Sequence, residues 1–178
     1  MISIIYETHA TSLDNEQGLA SGSYNVDLSE LGEQQAKELG ERHRDGPPDV
    51  VFCSDLRRAY RTAEIAFGGR GIPIIKDSRL RELDYGDWTR RPSAEVHAER
   101  VKHINEPFPN GESCLDAMLR MKRFLSDLRR NYDGKQVLII GHIATHHGLD
   151  YWIGGKPLDE LVHEHFVWQP GWTYVLTS

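Results

Sequence analysis

Four short apolar runs along the chain predict buried β-strands, because they are rich in aliphatic and β-branched residues and are bounded by turn formers. They cover residues 2–6, 50–53, 72–75 and 137–140. The last run has four consecutive aliphatic residues, which is typical of a central parallel strand covered on both faces. Near the end of the chain, residues 165–169 and 173–177 predict two further strands on either side of a turn at Pro170 and Gly171.

Between these strands, apolar residues recur at helical spacing and predict five helices. The helices cover residues 27–44, about 55–67, 94–105, 112–130 and 144–152. Ser29 is a suitable N-cap for the first helix, and Ser54 or Asp55 for the second. Residues 80–93 contain turn formers and show no clear period, so we expect a loop at the surface of a cleft.

The order of these elements alternates strand and helix over most of the chain. This order favours a largely parallel sheet, because parallel neighbours need a crossover connection and helices usually provide it. We therefore predict an α/β fold, a three-layer sandwich with a mostly parallel central sheet and helices on both faces. A single domain is expected over residues 1–178, since no repeat or linker interrupts the pattern.

Composition and charge restrict the function classes. The 178 residues are 39% apolar and 27% charged, which is typical of a globular protein. The formal net charge of −6 gives no electrostatic basis for binding nucleic acid, and no apolar run reaches the roughly 20 residues of a membrane helix. The N-terminus lacks the basic segment of a signal peptide, and Cys53 and Cys114 have no disulfide or metal spacing. We therefore expect a cytoplasmic protein with two buried thiols.

Residues suited to phosphate chemistry follow the predicted strands, at the ends where ligands bind in open α/β sheets. His9 follows the first strand, and Arg58 lies in the first turn after the second. Glu82 follows the third strand, and His142 directly follows the fourth. Two imidazoles, a guanidinium and a carboxylate can supply a nucleophile, a charge clamp and a general acid.

A cluster of histidines near residue 142 raises the alternative of a metal site. His142 and His146 are four residues apart, as in a zinc-binding helix, and His147 follows. The zinc motif has a glutamate directly after its first histidine, whereas Ile143 stands there in this chain. We therefore predict no catalytic metal.

Five segments resemble, in the same order, the motifs of the histidine phosphatase superfamily, which includes phosphoglycerate mutases. The segments are THATSLDN (residues 8–15), SDLRRAYRTAE (54–64), LRELDYGDW (80–88), PNGES (109–113) and IIGH (139–142). No single segment is very specific, but the ordered set is, and it covers the chain from end to end. The resemblance implies a phosphoglycerate mutase-like fold and a cofactor-free phosphatase that works through a phosphohistidine.

The resemblance also implies a role for each matching residue. His9 would attack the phosphorus of a monoester, while Arg58 and His142 would stabilise charge on the transferring phosphoryl group. Glu82 would protonate the leaving oxygen, and Asn15 would donate a hydrogen bond to a phosphate oxygen. Water would then hydrolyse the phosphohistidine, with Glu82 acting as the base.

The first motif departs from the family pattern, because Thr8 stands in place of an arginine and Ala10 in place of a glycine. At a candidate phosphate-binding position, a hydroxyl cannot replace a fixed bidentate charge, and the loss should weaken binding by about 1.5–3 kcal/mol. Three explanations are open. Arg61, one turn beyond Arg58, supplies the charge; or the rest of the substrate drives recognition; or phosphatase activity has been lost.

We predict a phosphatase that acts on a small phosphorylated metabolite. A phosphoryl-transferring mutase would use the same site, but mutases of the family normally carry longer insertions than 178 residues allow. A catalytically silent module that binds an acidic ligand is a further alternative, which the Thr8 substitution favours. The selective surface is predicted on residues 83–96, with Trp88, Arg90 and Arg91, and on residues 105–110. Whether the chain forms a homodimer is left open.

Overall fold

The computed structural model describes residues 1–177, which contain one five-stranded sheet in the order β3-β2-β4-β1-β5. The strands are β1 (Ile2–Thr8), β2 (Val50–Cys53), β3 (Ile74–Lys76), β4 (Gln136–Gly141) and β5 (Trp172–Leu176). The first four strands run parallel, whereas β5 pairs antiparallel with β1 at the edge. The predicted α/β fold with a mostly parallel central sheet is therefore confirmed.

Seven α-helices lie within residues 1–177. They are α1 (Leu13–Glu16), α2 (Glu30–Arg42), α3 (Arg57–Phe67), α4 (Ser93–Arg100), α5 (Cys114–Asn131), α6 (Ile143–Trp152) and α7 (Leu158–His163). Ser29 caps α2 as predicted, because its side chain accepts a hydrogen bond from the backbone N–H of Gly32 at 3.2 Å. Over the same residues, no helix is both long and apolar enough to cross a membrane.

Helices cover both faces of the sheet and give the three layers. On one face, Met121, Phe124 and Leu128 of α5 pack against residues of β1, β2 and β4. On the other face, Ala63 and Phe67 of α3 pack against the opposite side chains of β2 and β4. Since β4 lies between β1 and β2, its aliphatic run is buried on both sides, as its sequence predicts.

The connections at the carboxyl edge of the sheet are short, and this shortness positions the functional residues. Helix α6 begins at Ile143, directly after His142 and the end of β4. Helix α3 begins at Arg57, four residues after Cys53 ends β2. Both helix N-termini, with their free backbone N–H groups, therefore start at the same edge of the sheet.

The end of the chain differs from the prediction. Residues 165–169 form no strand, because β5 occupies the position beside β1 and no other strand lies next to this segment. The short helices α1 and α7 were not expected, since one or two turns give too few residues to show a helical period.

The start of α3 is a second difference. Leu56 takes the N-cap position without a side-chain cap, whereas Ser54 or Asp55 was expected there. The Ser54 hydroxyl instead accepts a hydrogen bond from the backbone N–H of Leu56 at 3.2 Å, just before the helix. The Asp55 carboxylate binds both Nε and Nη2 of Arg81 at 2.7 Å, and a bidentate ion pair outweighs a cap.

Candidate active site

A cleft with a volume of about 700 Å³ lies at the carboxyl edge of the sheet. His9, Arg58, Glu82 and His142 all line it, so the structure brings together the four residues that follow the strands. Parallel strands end on the same edge, which explains why residues so distant in sequence meet there.

His9 is held in one tautomer by the backbone beside it. Its Nδ1 lies 2.7 Å from the carbonyl oxygen of Ala10, which can only accept, so Nδ1 carries the proton. Nε2 then keeps its lone pair and lies 3.3 Å from Nε of Arg58, which donates to it. Burial and the neighbouring Arg58 charge lower the pKa of His9 to about 3, so the imidazole is neutral near pH 7. A neutral imidazole can act as a nucleophile once a phosphoryl oxygen takes the Arg58 donor and so releases the Nε2 lone pair.

Arg58 lies in the first turn of α3 with only 2% of its surface exposed. Besides its contact with His9, it donates from Nη1 to the carbonyl of Tyr24 at 3.0 Å and from Nη2 to that of Gly22 at 2.8 Å. Gly22 has a φ of +52°, and an added Cβ would lie 2.8 Å from the ring of Tyr85. A glycine is therefore needed where this loop closes over the guanidinium.

His142 occupies the N-cap position of α6 and is 1% exposed. Its ring centroid lies 4.9 Å from that of His9, and neither ring nitrogen has a hydrogen-bond partner among the described residues. Burial, together with Arg58 and His9, holds the pKa of His142 well below its usual range. Because buried polar atoms normally have partners, two unpaired ring nitrogens on a residue that lines the cleft indicate a ligand site.

Glu82 lines the cleft, and its Oε1 accepts hydrogen bonds from the backbone N–H of Leu83 at 2.8 Å and of Ala144 at 3.2 Å. Ala144 lies in the first turn of α6, so the helix N-terminus fixes this carboxylate. The acidic neighbours Asp84 and Asp87 do not line the cleft and bind Ser23, Gly86 and Asn110 instead. Among the loop carboxylates, Glu82 alone faces the histidines.

Thr8 and Asn15 also line the cleft. Thr8 is half-buried at the last position of β1, where its strand partner is Gly141. The Oδ1 of Asn15 accepts from the backbone N–H and the hydroxyl of Ser12, both at 2.9 Å, and completes a capping box on α1. The amide NH₂ of Asn15 is therefore the part of this side chain that can donate to a ligand.

The expectation for Arg61 is corrected, because its side chain does not line the cleft. Its guanidinium instead pairs with Glu64 at 3.4 Å and with Glu33 of α2 at 3.6 Å. The side chain one turn after Arg58 that faces the histidine loop is Thr62, whose Oγ1 accepts from the backbone N–H of Ala10 at 3.0 Å. On α3, the residue four positions after Arg58 therefore lies on the same face as Arg58, whereas the residue three positions after it does not.

The expectation that residues 83–96 and 105–110 form the substrate-selective surface is largely wrong. Arg90 turns away from the cleft to Asp14 at 3.1 Å and lies over the ring of Tyr24, while Arg91 lies over Trp88. Residues 105–110 do not line the cleft, and residues 83–96 contribute only Tyr85 and Ser93.

The wall that sequence reasoning missed comes from α2 and from the segment before β5. It includes Gln35, Leu39 and Arg42 of α2, Phe166 and Trp168. Glu7 also lines the cleft with 2% exposure, and it binds Arg42 Nη2 at 3.1 Å and His43 Nε2 at 3.2 Å. A carboxylate directly after an apolar run was the one available signal, since buried charges are retained only with partners.

The histidine cluster after His142 forms no metal site in the described part of the chain. No three His, Cys, Asp or Glu residues within residues 1–177 are arranged to hold a metal ion. His146 stacks on Tyr6 with 5.2 Å between ring centroids, away from the cleft.

Comparison with known proteins places the chain in a family. The model of the histidine phosphatase superfamily (branch 1) matches residues 8–176, so the chain belongs to this superfamily, as its motifs predict. Phosphoserine phosphatase 1 of Hydrogenobacter thermophilus is 32% identical over 150 residues, which cover 80% of this chain and 71% of that protein. The adenosylcobalamin/alpha-ribazole phosphatase of Salmonella typhimurium is 34% identical over 142 residues, covering 75% and 70%.

A solved structure supports the same assignment. That of Bacillus stearothermophilus YhfR matches with a TM-score of 0.82 and 28% sequence identity, and the match covers 96% of this chain and 88% of that one. The phosphoglycerate mutase-like fold that the motifs imply is therefore confirmed.

Proposed function

We propose that this chain is a phosphatase that hydrolyses a small phosphorylated metabolite through a phosphohistidine on His9. The observation that carries the proposal is the contact between the neutral His9 Nε2 and the buried guanidinium of Arg58, beside the unpaired ring of His142. A nucleophile and two groups that stabilise anionic charge thus meet at one point. The relatives named as phosphoserine and alpha-ribazole phosphatases support hydrolysis of a phosphomonoester.

In the first step, the Nε2 lone pair of His9 attacks the phosphorus in line with the leaving oxygen. The N–P bond forms as the P–O bond breaks, and Glu82 gives its proton to the departing alcohol oxygen. Arg58 and His142 stabilise the charge on the equatorial phosphoryl oxygens, which is the main catalytic demand of phosphoryl transfer. The Ala10 carbonyl holds the Nδ1 proton as positive charge develops on the ring.

In the second step, water attacks the phosphohistidine. Glu82, now a carboxylate, takes a proton from the water as its oxygen bonds to phosphorus. The N–P bond breaks, its electron pair returns to Nε2, and inorganic phosphate leaves. We propose that Thr8 and the amide of Asn15 add neutral hydrogen bonds to phosphate oxygens, which makes the affinity for free phosphate weak.

The test is whether His9 carries the phosphoryl group. Rapid acid-free quenching with a labelled substrate should trap an adduct on His9 that is stable in base and labile in acid. His9→Ala should abolish both adduct and turnover, because within residues 1–177 His9 is the histidine that both lines the cleft and accepts a hydrogen bond from Arg58. His163→Ala is the matched control, since His163 is exposed and outside the cleft. Full turnover by His9→Ala would remove the proposal.

Three broader assignments complete the proposal. We propose one domain over residues 1–178, which the single sheet through residues 1–177 supports. We propose a cytoplasmic location, which the two buried free thiols of Cys53 and Cys114 support. The partner that we propose is the small phosphorylated substrate.

A further inference from the structure

The cleft continues beyond the histidines to two aromatic side chains, Phe166 and Trp168, which we call the aromatic lip. They line the cleft, and yet 39% of Phe166 and 57% of Trp168 is exposed. Val167 between them is 77% exposed and does not line the cleft, so the segment alternates between cleft and solvent. Neighbouring exposed apolar side chains at the mouth of a cleft are typical of a surface that a ligand covers.

The charges beside the aromatic lip do not favour an anionic group. Arg42 lies over the ring of Trp168 at 6.0 Å, but its Nη2 already donates to the buried carboxylate of Glu7 at 3.1 Å. Glu38, one turn before Arg42 on α2, also lines the cleft and adds a second carboxylate. Because Glu7 and Glu38 put two carboxylates and Arg42 only one guanidinium into this part of the cleft wall, a leaving group with its own carboxylate or second phosphate would be repelled there.

The packing of the aromatic lip leaves both rings ready to stack. Phe166 lies 5.9 Å from Trp172 of β5 and 6.4 Å from His146, so the sheet supports it from behind. Trp168 is supported by Arg42. Aromatic side chains held in this way lose little conformational freedom when they contact a ligand.

We propose that the aromatic lip is the leaving-group subsite, and that the substrate is a phosphomonoester of an alcohol with an uncharged aromatic part. This inference rests on the proposed function, because it requires the phosphoryl group to lie at His9. The cleft volume of about 700 Å³ falls in the range of small-molecule sites. It therefore has room for an organic group in addition to the phosphoryl group. The buried side chain of Leu39 completes the apolar wall.

Matched alkyl esters separate the shape and charge of the leaving group from its reactivity. We choose three esters that all release a primary alcohol, so that their leaving oxygens have similar basicity. They are 2-phenylethyl phosphate (phenylethyl phosphate below), ethyl phosphate and the phosphate ester of 3-hydroxypropanoate. We expect kcat/KM to be about tenfold higher for phenylethyl phosphate than for ethyl phosphate, which corresponds to one aromatic contact. The carboxylated ester should be a poorer substrate than ethyl phosphate.

Variants of neighbouring residues assign the preference to the aromatic lip. Trp168→Ala should lower the ratio of kcat/KM between phenylethyl and ethyl phosphate by about tenfold, mainly through KM. Val167→Ala is the matched control, because it removes an adjacent side chain outside the cleft, and the ratio should not change. Calorimetric binding of both esters to His9→Ala measures the subsite without turnover.

The outcomes separate this inference from the proposed function. A preference for the carboxylated ester, a Trp168→Ala variant that keeps the ratio, or equal binding of both esters to His9→Ala would overturn the subsite. If no ester were hydrolysed, phenylethyl phosphate could still bind His9→Ala more tightly than ethyl phosphate, with the difference lost on adding Trp168→Ala. The subsite would then stand, and the phosphatase function would fail.

Discussion

The two ends of the cleft are built in different ways. At the phosphate end, His9, Arg58, Glu82 and His142 follow strands or begin helices, and backbone groups fix three of them. The aromatic lip, in contrast, comes from residues 166–168, which have no regular structure. The scaffold therefore fixes the chemistry, whereas a segment outside the sheet can change the choice of substrate without disturbing the scaffold.

The electrostatics of the two ends differ as well. At the phosphate end, burial and Arg58 keep two imidazoles neutral, with lowered pKa values for His9 and His142. Beside the aromatic lip, the buried carboxylate of Glu7 instead forms an ion pair with Arg42 at 3.1 Å and contacts His43 Nε2 at 3.2 Å. Thr8 lies in sequence between Glu7 and His9. Strand β1 therefore has the Glu7 carboxylate next to the position where the family motif has an arginine. A variant at the phosphate end should thus change the rates of alkyl esters with similar leaving oxygens by the same factor, and a variant at the lip should change their ratio.

The largest effect should come from Arg58. We expect Arg58→Ala to lower kcat/KM about 100-fold to 1,000-fold for every monoester, because a desolvated charge partner of the phosphoryl group is lost. The ratio between phenylethyl and ethyl phosphate should stay the same. Steady-state kinetics on both esters measures this.

Arg61→Ala is the matched control for Arg58→Ala, since it removes the same side chain three residues later. Arg61 pairs with Glu33 and Glu64 at a 38% exposed position, so the change should be within about 0.5 kcal/mol in activity and stability. If Arg61→Ala were as damaging as Arg58→Ala, the placement of Arg61 outside the site would be wrong.

The next effect concerns Glu82 and the leaving oxygen. Glu82→Gln should lower kcat about 100-fold for alkyl phosphates, which need a proton on the leaving oxygen, and far less for activated aryl phosphates. A comparison of kcat for ethyl and nitrophenyl phosphate measures the difference. Asp84→Asn is the control, because Asp84 binds Ser23 and Gly86 away from the cleft. Equal losses on both esters would exclude the acid role of Glu82.

The phosphate end could be predicted from sequence because it depends on strand ends. Apolar runs locate β1, β2 and β4 within a few residues, and in a parallel sheet this suffices to bring His9, Arg58 and His142 to one edge. Motif order then separates Glu82 from the other acidic residues of its loop.

The aromatic lip could not be predicted in the same way. Residues 165–169 contain a short apolar and aromatic run that is typical of a strand, and only the pairing of β5 with β1 shows that no place beside β1 is left for them. Arg42 ends α2 on a face that the sequence does not orient relative to the cleft. The expectation for Arg61 is wrong for a related reason. A shift of one residue along a helix turns the side chain by about 100°, so Thr62 lies towards the cleft side of α3 and Arg61 does not.

The smallest expected effect addresses Thr8, at the boundary between the two ends. Thr8 lines the cleft at the end of β1, opposite Gly141, which has no side chain to crowd a longer residue. We expect Thr8→Arg to tighten the binding of inorganic phosphate about tenfold, because a guanidinium adds a charge-assisted, bidentate contact. Calorimetry with phosphate measures the affinity.

Two further substitutions at Thr8 separate charge from size. Thr8→Lys adds the charge without the planar fork and should gain less than Thr8→Arg, and Thr8→Met adds volume alone and should gain nothing. The preference for phenylethyl over ethyl phosphate should stay the same in Thr8→Arg, since the added contact binds the phosphoryl group that both esters share. If Thr8→Arg bound phosphate no better than Thr8→Met, a missing charge at residue 8 would not explain the weak phosphate end. Recognition would then depend on Arg58 and His142 at the phosphoryl group and on the aromatic lip at the rest of the substrate.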